Sequence, residues 1–594
     1  MCGYLGKFST EKFSTELLKN ENNRIICRGP DSTHFFKSTN NNVSYTYLFN
    51  RLSIIDLSEK ANQPMFSEKF GTEILFNGEI FNHKELRKEL ENNLVNFCTN
   101  HSDTEVVLLG LSKYGSSYIN KLRGQFSFVF HNKSQKTILF ARDRMGQKPL
   151  YYSIDNNNLV FGSNFISVKN ISKKNDINES SLMEYMSLGT ITSPNTLINE
   201  IYKVCPGEKI EMSYSKGNFE ILNKENYWNL INFLDNKKFN NEEFMEILYH
   251  SVKLRLESDV PIANFLSGGI DSTTIVKIMS EIRDSVNTFN VEIDNPIYDE
   301  SYWAKLVSNK FNTNHQSIKI VPNFTISEID EIINSIDEPY SDPSLIPSYL
   351  LSKEISKKYK VAISGDGADE LLGGYDRVLL SMKENNKILN FFSKSYEFYP
   401  SFLGTGNFLA KWSSDVEEVY NSFLVDKKLI NLLNLYDSKK FKINFDFRKE
   451  KYKNLMFLEY KYFFSDMMLF KVDRTSMANS LEIRSPFVDH KLIEYVFSHK
   501  QTNQFDNPPK KILKDYLIDD FGNDFINRKK KGFVFDVENW VFSNLNVLDQ
   551  TFKNGKIVNE LNPNILRILS INKSRINSHR LWRLYILEKY LLNI

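Results

Sequence analysis

A chain of 594 residues is longer than one hydrophobic core sustains, so two or three domains are expected. With 41% hydrophobic and 25% charged residues it reads as globular, and 75 basic against 73 acidic side chains leave a net charge of +2, too balanced to draw nucleic acid or an anionic membrane. Four scattered cysteines (Cys2, Cys27, Cys98, Cys205) exclude a disulfide framework or a CxxC metal knuckle; with no apolar run near the roughly 20 residues of a membrane span and no signal-peptide pattern, a reducing cytoplasm is the expected setting.

Residues 1–165 read as short β-runs separated by turns, among them Val43–Phe49, Glu73–Phe76, Gln125–Phe130 and Thr137–Ala141. A single helix is expected among them, at Asn82–Glu91, polar with leucines on one side. This is the pattern of an α+β or layered-sheet domain, taken as 2–205. Patterning is weakest from Pro206-Gly207 onward, and 206–240 is read as a connecting segment. From there β and α alternate: helix Glu242–Leu256, strand Ile262–Leu266, helix Ser272–Arg283, strand Thr288–Ile293, helix Glu300–Asn309, strand Gln316–Ile320. That alternation predicts a parallel sheet with helices on its faces, within a second domain over 241–594 that turns helical and aromatic-rich beyond Tyr375.

Removal of Met1 would leave Cys2 with a free α-amine, a base that titrates near neutrality and can activate the cysteine's own thiol. Further along stand RGPDS (28–32), Arg51 in RLSIID, Asn77-Gly78-Glu79 in FNGEIFNH and Asp103 in HSDTE. Singly, Arg51 reads as a charge at a strand end, Asn77-Gly78 as a hairpin turn and Asp103 as a helix N-cap. Together, behind Cys2, they resemble the class II, N-terminal-nucleophile glutamine amidotransferase domain of the asparagine synthetase family. That resemblance makes Cys2 the nucleophile, with Asn77 and the Gly78 N–H as oxyanion hole. It gives Arg51 to the glutamine carboxylate as a bidentate fork, and Asp103 and Glu79 to the rest of the glutamine.

FLSGGIDST (265–273) follows a short apolar strand and opens a helix, placing backbone N–H groups where an anion is stabilised. The P-loop pattern GxxxxGK[ST] is absent. The loop resembles the PP-loop of ATP pyrophosphatases, which implies that Leu266, Ser267, Gly268, Gly269 and Ser272 contact ATP and Asp271 holds Mg²⁺. AISGDGADELLGGYDR (362–377) is similar to the asparagine-synthetase signature. There Asp369 is the second metal carboxylate, Ser364 and Gly365, with Val291 on the preceding strand, are nucleotide contacts, and Asp366 and Glu370 face the acceptor or intermediate. In PPKKILK the family's catalytic lysine falls on Lys510, with Lys511 as rival. Further matches are ARDRMGQKPLYY (141–152), DEPYSDPSLIPSYLLS (337–352) and KVDRTSMANSLEIRSPFVDH (471–490).

The resemblance implies an N-terminal α+β layered Ntn-hydrolase-type sandwich, and a C-terminal α/β parallel sheet of the PP-loop ATP pyrophosphatase type with a helical end. It also implies a glutamine- and ATP-dependent amidation of a carboxylate, L-aspartate first, and a uronic acid or antibiotic precursor second. Ammonia would cross a sheltered interdomain passage lined by apolar residues and the Arg28 segment. A homodimer is compatible with it. Three stretches depart from the family: Asn290-Val291-Glu292-Ile293, His315-Gln316-Ser317, and Ser163-Asn164. A non-catalytic relative is disfavoured by the retention of Cys2, Asp271 and Asp369, and a stand-alone glutaminase by the second half.

Overall fold

The computed structural model describes residues 2–594 except 41, 215–217, 236, 294–298, 321–323, 376, 379–398, 400, 401–408, 410–415, 436–450, 500–508 and 529–534. The amino-terminal half is built on two six-stranded antiparallel sheets. The first runs Tyr202–Lys203, Tyr151–Ile154, Asn158–Gly162, Cys2–Ser9, Val43–Arg51, Ser32–Asn40. The second runs Glu220–Asn226, Glu208–Ser213, Thr137–Arg142, Gly124–Asn132, Thr72–Ile80, Met65–Ser67. The inner faces meet in an aromatic core that includes Tyr4, Phe8, Tyr47 and Phe49 from the first sheet and Leu75, Val129 and Phe140 from the second. Helices His83–Asn92 and Asp103–Tyr114 cover the outer face of the second sheet, and Phe165–Ser172 and Glu179–Leu188 that of the first.

The four expected strands are present and each is one to five residues longer. The expectation of a single helix is corrected: short helices Glu16–Asn20 and Asn22–Ile25 precede it, and it is followed by Asp103–Tyr114, buried from Asp103 to Leu111. Its apolar run carries no amphipathic period because it is buried on every side. The stretch 206–240, read as a connecting segment, contributes Glu208–Ser213 and Glu220–Asn226 to the second sheet. The outer of these is an edge strand of mostly exposed polar residues, so no apolar alternation marks it.

The carboxy-terminal half holds a five-stranded, all-parallel sheet in the order Asn314–Ile320, Asn287–Ile293, Ile262–Phe265, Val361–Ile363, Glu482–Arg484. The chain adds strands to one side of Ile262–Phe265 and then, from Val361–Ile363 on, to the other, which makes a topological switch point between these two parallel strands. Ligands of such sheets bind at the carboxyl ends of the strands flanking that point. Helices follow, including one continuous run over 451–477 whose middle, Glu459–Leu469, is π-helical, a rare form frequent at functional sites. Of the stretch 378–450, the described part includes helices Val416–Leu424 and Lys427–Leu432. The long helix Arg575–Leu592 returns to pack in a core shared by both halves, with Leu5 and Phe165 on one side and Ile332 and Trp582 on the other. Among the described residues no helix is long and apolar enough to cross a membrane.

Candidate active sites

Cys2 begins the central strand of the first sheet and pairs in register with Arg51 at the end of its neighbour. Its backbone N–H donates to Asn77 Oδ1 at 3.0 Å. Asn77 and Gly78 are not a hairpin turn: they lie within strand Thr72–Ile80, opposite Ser127 and Phe126. Asn77 Nδ2 is buried with no hydrogen-bond partner, a donor left for a developing oxyanion beside the thiol. A Cβ on Gly78 would stand 2.1 Å from the Gln125 carbonyl, so only glycine fits between the strands. Burial pushes the Cys2 thiol up, while the charge of the chain's amino terminus, the Leu52 N–H and Arg51 oppose it. A thiol in that position needs a base.

Arg51 corrects one expectation. Its Nη1 donates to Ser58 O and Asn62 Oδ1, both at 2.8 Å, and its Nη2 to Asp56 O at 2.5 Å and Ile55 O at 3.4 Å. The fork is turned onto the loop 55–62, so the side chain offers a ligand carboxylate its charge rather than two free donors. Asp103 is not an N-cap either. Ser102 holds that position, and Asp103 opens the helix with Oδ2 accepting from Ile80 N at 2.9 Å. Burial first, and then Asp103, push Glu79 well above the usual carboxylate range, and burial also raises Asp103. Glu79 Oε1 has no hydrogen-bond partner. Two buried carboxyl groups side by side near Cys2 are suited to an incoming ammonium.

The second site sits at the switch point. The loop 266–269 joins strand Ile262–Phe265 to helix Ile270–Ile282, and the loop 364–367 leaves the adjacent strand. Gly268 has φ +74°, and a Cβ there would lie 2.7 Å from Ala304 N, so the turn requires glycine. Ser267 Oγ accepts from Gly269 N at 3.1 Å and lies 3.2 Å from Ser272 Oγ. Leu266 is buried and donates its N–H to Phe289 O, while Val291, two residues further along that strand, is half-buried. A Cβ on Gly365 would be 3.1 Å from Asp271 Cβ, which places the two loops against each other. Ser364 donates its N–H to Arg484 O at 3.0 Å, and its Oγ lies 2.8 Å from Ser485 Oγ.

Lys510 joins the loops. Its Nζ is 2.6 Å from Asp271 Oδ2 and 2.6 Å from Asp369 Oδ1. A non-glycine residue at φ +60°, Lys510 is held in a sparsely populated conformation of the kind found at functional positions. Gly374 makes room, since a Cβ there would be 2.0 Å from Asp369 Oδ1 and 2.7 Å from Lys510 Cε. Lys511 pairs instead with Asp515 on the exposed face of its helix. Asp366 lies on the same turn, half-buried. Glu370 accepts from Tyr375 OH at 2.7 Å, and burial, followed by the charge of Asp369, pushes it up to about 7. The Lys510 ammonium lies between Asp271 and Asp369, and two carboxylate oxygens from separate loops are of the chemistry that suits a hard divalent ion such as Mg²⁺. Among the described residues no cluster of three or more His, Cys, Asp or Glu side chains could hold a metal, so such an ion would take its other ligands from phosphate oxygens and water.

Between the sites, at the domain interface, lies a cavity of about 10 Å³, close to the space one water or ammonia needs. Gln125, Gln147 and Lys148 of the amino-terminal half and Leu469, Val472, Asp473, Ser476, Ile483 and Ser485 of the other half line it. Its lining is mixed polar and apolar, and Arg28 stands behind the wall. Its guanidinium grips Asp473 with two bonds of 2.9 and 3.1 Å. Burial alone would raise the Asp473 carboxyl, but Arg28, Lys148 and Arg474 outweigh it and hold it well below the usual range. Asp473→Ala would leave Arg28 and Lys148 without their carboxylate partner, while Arg474 keeps Asp337 at 2.7 Å, and we expect it to cost about 3–5 kcal/mol in a denaturant titration. Arg484, 3.2 Å from Glu79, is a second ion pair across the interface. Asp473 and Arg484 were assigned no role from sequence; for Arg484 the charges at both ends of the short strand Glu482–Arg484 were the available signal.

The three departures have local roles. Asn164 caps helix Phe165–Ser172 by accepting from Ser167 N at 2.9 Å, and Ser163 Oγ accepts from Tyr4 N at 3.0 Å. Ser317 Oγ donates to Asn290 Oδ1 at 2.7 Å, Gln316 is exposed, and Glu292 stands opposite Lys319 on the neighbouring strand.

A layered sandwich with a buried cysteine at its second residue, joined to a parallel sheet with two acidic loops at its switch point, defines a two-site amidotransferase. The profile of the asparagine synthase family matches residues 243–589, and that of the glutamine amidotransferase domain matches 1–228. The chain is 31% identical over 581 residues to glutamine-hydrolyzing asparagine synthetase 1 of Bacillus subtilis (strain 168), covering 92% of this chain and 89% of that one. It is 34% identical over 400 residues to a putative glutamine-hydrolyzing asparagine synthetase 2 of Methanocaldococcus jannaschii (63% of this chain, 76% of that one), and 28% identical over 374 residues to the amidase chry2 of Gibberella zeae (59% and 54%). This chain belongs to the glutamine-hydrolysing asparagine synthetase family.

Proposed function

We propose that the protein converts L-aspartate to L-asparagine with glutamine as nitrogen donor and ATP split to AMP and pyrophosphate. The observation that carries the reading is Lys510 Nζ, 2.6 Å from both Asp271 and Asp369 at the sheet's switch point, across a shared interface from Cys2.

With Met1 removed, the Cys2 amine takes the thiol proton. The sulfur attacks the glutamine amide carbon, and the oxyanion is held by Asn77 Nδ2 and the Gly78 N–H. The amine returns its proton to the leaving nitrogen, ammonia departs, and water hydrolyses the thioester to glutamate. Arg51 supplies charge for the glutamine carboxylate, and Glu79 with Asp103 receives its ammonium.

In the second site the loop of Ser267, Gly268, Gly269 and Ser272 receives phosphate oxygens, with Leu266, Val291, Ser364 and Gly365 against the nucleotide. Mg²⁺ bound at Asp271 and Asp369 would screen the phosphate charge against an approaching carboxylate. The acceptor carboxylate attacks the α-phosphorus and expels pyrophosphate, with Lys510 compensating the charge that develops. Ammonia then attacks the acyl carbon, AMP leaves with the bond electrons, and the nitrogen gives up a proton, for which we assign Asp366 or Glu370 on the second acidic loop. The reaction needs neutral ammonia, which bulk water would protonate, so the interface cavity is the sheltered route we assign to it. A cytoplasmic setting fits the free thiols.

Pyrophosphate release with ATP, Mg²⁺ and glutamine, measured over a panel of carboxylates, tests the acceptor. L-Aspartate should give the largest kcat/KM. Release triggered by a uronic acid or another acid, and not by aspartate, would replace aspartate and point to Glu292 and Gln316 as the first positions to examine.

A further inference from the structure

The short loop between helix Asn241–Arg255 and strand Ile262–Phe265 belongs to the ATP half, yet it reaches into the glutaminase half at Asp259. Asp259 Oδ2 accepts from Asp56 N at 2.8 Å and lies 2.6 Å from His101 Nε2. Its own N–H donates to Ile54 O at 3.1 Å. Asp56 is itself a junction. It is a non-glycine residue at φ +53°, and its carbonyl accepts from Arg51 Nη2 at 2.5 Å. Its Oδ2 accepts from Asn100 N and His101 N, at 2.9 and 3.1 Å. One carboxylate of the ATP half therefore holds two glutaminase loops at once, the one that orients Arg51 and the one that leads into Asp103. Three residues after Asp259 begins the strand that delivers the Ser267–Ser272 loop. No role in the mechanism above falls to Asp259.

We propose that Asp259 is a positioning residue for glutamine: it clasps the Arg51 loop to the Asp103 loop and fixes both to the strand that carries the ATP loop. This rests on the reading of Arg51 and Asp103 as the glutamine pocket. Asp56 at positive φ is a strained residue held in place by its neighbours, and the Asp56 N–H to Asp259 bond is one of those restraints. Without it the loop has fewer constraints, and glutamine must supply the ordering that the clasp now provides.

The test uses the full chain, with Asp259→Ala and Asp259→Asn measured for synthesis from glutamine and from ammonium. Asp259 is exposed, so the variants are expected to fold. The alanine variant should raise the glutamine KM about tenfold while ammonium-driven synthesis stays within about twofold. The asparagine variant keeps an acceptor for Asp56 N–H and should fall between. A glutamine KM within about twofold of wild type in Asp259→Ala, or an equal loss of both activities, overturns the clasp. Arg51→Ala measured alongside separates the causes: if it raises the glutamine KM and Asp259→Ala does not, only the clasp falls, and if neither moves it, the pocket reading falls too.

Discussion

Replacing Cys2 with alanine will lower glutamine-driven synthesis by about 10⁴-fold or more while ammonium-driven synthesis stays within about a factor of two. The first half follows from the site: Cys2 is hydrogen-bonded through its N–H to Asn77, whose Nδ2 is left without a partner, and removing a covalent nucleophile removes the intermediate rather than weakening a contact. The second half follows from the separation of the sites. Cys2 belongs to the sandwich and Lys510, Asp271 and Asp369 to the parallel sheet, so a side chain shortened in the first leaves the second intact. Alanine fills less space than cysteine at a buried position, and the local stability loss should remain near 1 kcal/mol. Steady-state rates with each nitrogen source are the check. Loss of both activities in a folded variant would show that the two reactions share a site.

Asp271→Asn is expected to suppress pyrophosphate release by about 10³-fold, some 4 kcal/mol of transition-state stabilisation, and to leave glutaminase measurable. Asp271 accepts from Lys510 through both oxygens, at 2.7 and 2.6 Å, so asparagine removes a charge from a three-residue cluster without changing its size. Lys510 would keep Asp369 as partner, and the cluster should persist in weakened form. Pyrophosphate release at wild-type rate in this variant would remove Asp271 from the metal site and with it the assignment of the loop.

The elements that carry chemistry were legible because their signals are local. Glycine turns after short apolar strands mark both acidic loops, and Cys2 stands out only in company with Arg51, Asn77-Gly78 and Asp103 further along the chain. Elements whose signal is cancelled by burial or by pairing were not legible. Helix Asp103–Tyr114 carries an apolar run, Val106–Leu111, that is buried on every side and so shows no amphipathic period, and strand Glu482–Arg484 is charged at both ends yet fully buried because Arg484 pairs with Glu482 and with Glu79. The contacts that join the halves lie beyond any local pattern. Lys510 meets Asp271 across 239 residues and Arg28 meets Asp473 across 445. Arg51 shows the converse: its residue type pointed to a carboxylate ligand, and the fold turned its fork onto a loop that sequence spacing gave no reason to close.

The interface has a consistent character. Arg28–Asp473, Glu79–Arg484 and His101–Asp259 each join one half to the other, the first two buried and the third at the rim. Buried pairs of this kind contribute little net stability but penalise misalignment heavily, because any shift leaves a charge unpaired. They suit a junction whose task is to keep two reaction centres in register around a cavity of about 10 Å³.

The most direct test of the account is the fate of nitrogen. Purified protein is given ATP, Mg²⁺, L-aspartate and glutamine labelled with ¹⁵N in the amide, in the presence of unlabelled ammonium at a concentration that by itself drives little synthesis, at neutral pH. The account predicts labelled asparagine formed in step with pyrophosphate, with little dilution by the ammonium pool. Asparagine carrying mostly unlabelled nitrogen, or label released without pyrophosphate or amide product, would contradict it.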